Sequence, residues 1–129
     1  MFGPRRVPDM LQLELIDILA VPAYNVEKKF HLQESGWVGY VFTLDGVTYY
    51  HAGDTDYLES MKDIRCDVAF LPCEGHYTMG PEAAAQAAAA CGAAVVVPIR
   101  WGDSGSSRED AERLGALFPG EVQILDRVA

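Results

Sequence analysis

Asp54 lies in the run His51-Ala52-Gly53-Asp54-Thr55-Asp56, directly after Val47-Thr48-Tyr49-Tyr50, whose aromatic and β-branched side chains predict a strand. A carboxylate that follows a buried strand through small residues is held at a sheet edge, where α/β proteins place their chemistry. The same Gly-Asp-Thr can also be plain turn chemistry, with Asp54 capping the segment that follows. His31, His51, Cys73 and His76 fall in predicted loops or at strand ends. Cysteine, histidine and aspartate are all zinc-ligand types, so these residues with Asp54 are candidates for a zinc site. The competing reading makes the histidines hydrogen-bonding surface groups. Cys73 and His76 are also a possible thiol–imidazole pair, but three residues of loop between them do not activate a thiolate.

The elements that must position these groups follow from the pattern of the chain. Residues 1–10, with Pro4, Pro8 and two arginines, read as an irregular arm. Residues 11–21 alternate as a strand, with a change of phase at Ile16 that a bulge, or two short strands, would explain. A helix competes there, because Leu11, Leu15, Ile18 and Leu19 share a helical face, but Pro22 ends the run without a cap. A loop over 22–36 leads to a strand over 37–44. Asp45-Gly46 then predicts a type I′ turn into the strand of Tyr49, since both residues tolerate positive φ. A short helix is expected over 57–64, a buried strand over 66–72, and a loop over 73–80 that carries Cys73, Glu74 and His76. Pro81 suits the first turn of a helix, Glu82 its dipole, and Gly92 its end. Between them stand seven alanines, which allow close approach to a sheet. A strand over 93–99, an amphipathic helix over 107–118 and a strand over 121–125 complete an α/β layer.

The 129 residues fit one domain with a real core. No apolar run is long enough for a membrane helix, and no apolar stretch follows Arg5-Arg6 to suggest a signal peptide. With 10 basic and 19 acidic residues the net charge is -9, which repels phosphate backbones and argues against nucleic-acid binding. Cys66, Cys73 and Cys91 form no Cys-x-x-Cys pair, and a reducing cytoplasm is the expected compartment.

In this order, Ala20-Val21-Pro22-Ala23-Tyr24-Asn25, Gly36-Trp37-Val38-Gly39-Tyr40, His51-Ala52-Gly53-Asp54-Thr55-Asp56, Phe70-Leu71-Pro72, Tyr77-Thr78-Met79-Gly80-Pro81-Glu82 and Val97-Pro98-Ile99 resemble the metallo-β-lactamase-fold hydrolases. More closely they resemble the predicted zinc-dependent hydrolase branch related to L-ascorbate-6-phosphate lactonases. The resemblance runs collinearly over about residues 15–126. It implies half of an αββα sandwich: one mixed sheet with helices on one face, spanning 1–129 as a single half-length domain. It also implies that Asp54 matches a carboxylate that bridges two metals, able to hold a hydroxide between them for attack.

Two departures bear on function. The His-x-His-x-Asp-His cluster of the family's N-terminal half does not occur in this sequence. The terminal ligand histidine expected after Val97-Pro98-Ile99 is replaced by Arg100, followed by Trp101. A guanidinium stays protonated and offers no lone pair to a metal. Asp54, left without a cation, would be costly to desolvate, so an Asp54–Arg100 ion pair is expected. Against it stands a solvated Arg100. Asn25, Cys73, Glu74, Arg100 and Trp101 are expected around the cleft. His51 fits the strand-end framework better than a ligand role.

A half-sandwich leaves one sheet face bare, and Trp37, Tyr40, Phe42, Tyr49 and Phe70 supply apolar surface for it. An isologous homodimer through that face is expected, with a separate chain carrying the missing half as the alternative. The leading expectation is a half-length protein, noncatalytic alone and without a cofactor of its own. The alternatives are a zinc-dependent hydrolase of lactone-like or phosphorylated small molecules whose ligands are completed by another chain or a rebuilt site, and a small-molecule or anion binding module that uses Arg100.

Overall fold

The computed structural model describes residues 4–7, 16–24, 26, 38–75, 77–101 and 108–125. Among these, seven strands lie side by side in chain order: β1 (Pro4–Val7), β2 (Ile16–Pro22), β3 (Val38–Leu44), β4 (Val47–His51), β5 (Val68–Pro72), β6 (Val95–Ile99) and β7 (Glu121–Val122). The pairs from β1 to β4 are antiparallel and those from β4 to β7 parallel. The connections explain the change. β3 and β4 are joined by Asp45 and Gly46, at φ 50° and 79°, the double left-handed geometry of a type I′ turn. Parallel neighbours need a longer crossover. Helix α1 (Pro81–Ala90) supplies it between β5 and β6, and α2 (Arg108–Leu117) between β6 and β7.

Strand periodicity sorts the side chains onto two faces. Val41, Tyr50, Ala69, Val96 and Val122 are paired in turn across β3 to β7 and form a row beneath the helices. The alanines of α1 serve this row. Ala84, Ala87 and Ala88 are fully buried, and with α2's Ala111 and Leu114 they close the core over Tyr50, itself fully buried. On the opposite face the rings of Phe42, Tyr49, Phe70 and His51 stack in succession across β3, β4 and β5, with centroids 5.4, 6.3 and 5.7 Å apart. Tyr40 remains 39% exposed, and Ile18, Tyr40, Phe42 and His51 line an open concavity of about 410 Å³. Among the described residues the helices cover one face only.

Several local expectations need correction. Part of the arm expected to be irregular is strand β1, paired along the edge of β2, where Pro4 at its first position interrupts no ladder. β2 runs through Pro22, while residues 11–15 and Trp37 lie outside the described residues. The segment over 57–64 contains a 3-10 helix at Glu59–Asp63, without a side-chain cap at Leu58. β5 starts at Val68 because the Cys66 amide donates to the Cys91 carbonyl, 3.1 Å away, and not into a strand ladder. β7 is only two residues long. α1 begins at Pro81 and turns off at Gly92 (φ 72°), as its end signals predict. Among the described residues no helix is long and apolar enough to cross a membrane.

Candidate functional site

The carboxyl ends of the parallel strands β4, β5 and β6 lie on one edge of the sheet, and the loops leaving them carry Asp54, Cys73, Glu74 and Arg100. The β4 loop is fixed from both sides. The Ala52 amide donates to the Phe70 carbonyl at 3.0 Å, and Gly53, at φ 70°, redirects the chain. Thr55 is fully buried. Its hydroxyl accepts the Tyr24 amide at 3.0 Å and its carbonyl accepts the Met79 amide at 3.0 Å. Asp56 donates its amide to the Tyr24 carbonyl and accepts the Val26 amide on Oδ2 at 2.9 Å. Asp54 is thus held between the β2 end and the loop after β5.

Arg100 Nη1 lies 3.5 Å from Asp54 Oδ2. β5 separates the two parent strands, so their ends stand about 10 Å apart at a strand spacing of about 4.8 Å. Only a long side chain crosses that gap. Arg100 also adopts φ 57°, one of two described non-glycine residues with positive φ. A left-handed backbone costs an L-residue roughly 1–2 kcal/mol. The ion pair, with side chains 39% and 25% exposed, returns about 1 kcal/mol or less. The pair therefore does not offset the strain; the turn out of β6 imposes it. Strained residues of this kind cluster at functional edges.

The remaining candidates separate. His51 is exposed on the open face, stacked on Phe70, with Nδ1 accepting the Gly53 amide at 3.3 Å. Cys73 is fully buried, its thiol donating toward the Ile99 carbonyl at 3.8 Å, and burial pushes it up to about 12. It is not an activated nucleophile. Glu74 is buried, and its Oε1 accepts the amides of Tyr77 and Thr78, the latter at 2.7 Å, so it shapes the loop from within. Trp101 donates its indole N–H to the Pro98 carbonyl at 3.2 Å, and the Arg108 guanidinium lies 5.6 Å from its ring centroid. Asn25, His31 and His76 lie outside the described residues.

The described part of this donor set does not fit a metal centre. Asp54 faces a permanent cation, His51 is engaged on the aromatic face, and among the described residues no three acidic, histidine or cysteine side chains converge. Sequence reading missed the brace at Thr55 and the cap at Glu74. Glu74 with Tyr77-Thr78 three and four residues on is a spacing that could have revealed the cap; Thr55 and Tyr24 are too far apart in the chain to leave a local signal.

Residues 6–100 match the family model described as "Beta-lactamase superfamily domain". A UPF0173 metal-dependent hydrolase of Thermococcus onnurineus is 31% identical over 129 residues, covering 96% of this chain and 55% of the relative. One from Geobacillus thermodenitrificans is 45% identical over 85 residues, covering 63% of this chain and 38% of the relative. Among solved structures, a protein of Parabacteroides distasonis described as a metal-dependent hydrolase superposes with a TM-score of 0.71 at 32% identity, over 95% of this chain and 55% of that one. The chain spans about half the length of the curated relatives it matches.

Proposed function

This chain belongs to the β-lactamase superfamily, and from that premise we propose that it is a variant in which a carboxylate–guanidinium pair replaces metal ligation, so that alone it holds no zinc and is not a hydrolase. The observation that carries this reading is the 3.5 Å approach of Arg100 to Asp54. The resemblance puts metal ligands at both positions, and Arg100 brings a fixed positive charge with no lone pair to one of them. A second cation beside Asp54 would be repelled by the first.

The relatives are called metal-dependent hydrolases, which supports the competing reading: a zinc-dependent hydrolase of lactone-like or phosphorylated small molecules, with Asp54 as one ligand and the others supplied from outside this chain. Metal content decides between them. After zinc or manganese loading and extensive dialysis, the protein is expected to retain no stoichiometric metal. Stoichiometric metal that Asp54→Asn removes would overturn the metal-free reading and favour the hydrolase. An anion-binding use of Arg100 predicts that phosphate raises the unfolding midpoint, and that Arg100→Met abolishes the rise.

We also propose that the open face packs against a second copy of the chain around a twofold axis. The stacked aromatic rings and the half-exposed Tyr40 support this. A separate chain completing the sandwich is the alternative. Solution mass tests the proposal: a dimer that Tyr40→Glu converts to monomer is expected, and a monodisperse wild-type monomer would overturn it.

A further inference from the structure

Away from the Asp54 edge, beneath the helices, two free thiols meet. Cys66 lies just before β5 and Cys91 is the C-cap residue of α1. Both are buried, with Sγ atoms 3.5 Å apart and the Cys66 S–H directed at the Cys91 sulfur. The Cys66 amide also donates to the Cys91 carbonyl at 3.1 Å, so the two backbones are already side by side. The Tyr50 hydroxyl is buried with no hydrogen-bond partner among the described residues, and burial, with lesser contributions from Cys91 and Cys66, pushes its pKa upward.

We propose that Cys66 and Cys91 are a redox-active dithiol that hydrogen peroxide converts to an intramolecular disulfide. The Cys91 thiolate attacks one peroxide oxygen and the O–O bond breaks, leaving Cys91 as sulfenic acid while the departing hydroxide takes up a proton as water. The Cys66 sulfur then forms the S–S bond at Cys91 and displaces hydroxide, which leaves as water with the Cys66 proton. Two thiols lose two electrons and one peroxide becomes two waters. Cys91 acts first because the S–H of Cys66 favours its thiolate, with Arg65 adding positive charge, whereas that same bond and burial hold Cys66 protonated. The sulfurs need to close by about 1.5 Å to reach a bond of ~2.05 Å. The link would tie the start of β5 to the end of α1. It would enclose the loop that carries Glu74 and Met79, whose amide braces Thr55, and so would restrict the unfolded chain around the strand-end site.

Cys73 is the internal control, being buried with no neighbouring thiol among its bonded partners. The reduced chain is treated with hydrogen peroxide, unfolded, alkylated and weighed intact. The expected result is a loss of two hydrogens, one alkylated cysteine in place of three, a Cys66–Cys91 cross-linked peptide, and a higher unfolding midpoint that a dithiol reductant reverses. Cys73→Ser should form the same link, which keeps the test sound if Cys66→Ser or Cys91→Ser fails to fold. Three alkylated cysteines after peroxide, a sulfinic acid at Cys91 without a cross-link, or a link between chains would each overturn the proposal.

Discussion

The Thr55 hydroxyl lies 3.0 Å from the amide nitrogen of Tyr24 and 3.1 Å from its carbonyl oxygen, so one buried side chain serves both polar groups of a residue 31 positions away. That contact ties the loop after β4 to the end of β2 and fixes where Asp54 emerges. Thr55→Val keeps the shape and removes the hydroxyl, leaving the Tyr24 amide without that acceptor. A loss of roughly 1–3 kcal/mol is expected, read as a lowered urea midpoint at unchanged slope. An unchanged midpoint would mean the brace contributes nothing.

Gly39 sets the closeness of β3 to the β4 end. A Cβ built there would stand 2.6 Å from the His51 carbonyl oxygen and 2.8 Å from that of Ala52, both backbone atoms that cannot turn aside. Gly39→Ala should therefore destabilise the fold by more than ~2 kcal/mol or shift the β3–β4 register. Thermal unfolding measures the first effect and amide exchange along β4 the second. Gly46→Ala is a useful contrast, since only its positive φ, and no neighbour, opposes a side chain there.

Arg100 separates charge from backbone strain. Because its φ of 57° is easy for glycine and strained for alanine, Arg100→Gly should be more stable than Arg100→Ala by about 1 kcal/mol. Arg100→Ala itself should differ from wild type by about 1 kcal/mol or less, since the half-exposed ion pair contributes little. Equal stabilities for the glycine and alanine variants would argue against the left-handed turn.

Alkaline pH should weaken the fold. Burial raises the Cys73 thiol from 9.0 to about 12 and moves the Tyr50 hydroxyl upward as well. The folded protein keeps protons that the unfolded chain releases, so this contribution is complete below pH 9 and is lost as pH rises toward 12. Cys73→Ser, which has no thiol to ionise, should show a shallower fall of unfolding midpoint above pH 9. Identical pH profiles would place the alkaline sensitivity elsewhere.

Much of the architecture was legible because its causes are local. Asp45-Gly46 can satisfy a type I′ turn by themselves, and the Pro81 start and Gly92 stop of α1 depend on single-residue φ preferences and a missing N–H. The alternation of strands and helices after His51 follows from hydrophobic period, and the strand-end position of Asp54 follows from the small residues around it. The pairing of Asp54 with Arg100 followed from the family resemblance, which puts both at metal-ligand positions, together with the cost of leaving a carboxylate there without a cation. Tertiary structure decided the rest. Pro4–Val7 becomes a strand only because the edge of β2 offers a ladder, and no propensity in those residues reveals it. The Thr55–Tyr24 brace and the meeting of Cys66 with Cys91 join residues whose separation in the chain erases any local pattern. Those contacts exist because sheet order and helix packing bring the segments together, and that information is non-local.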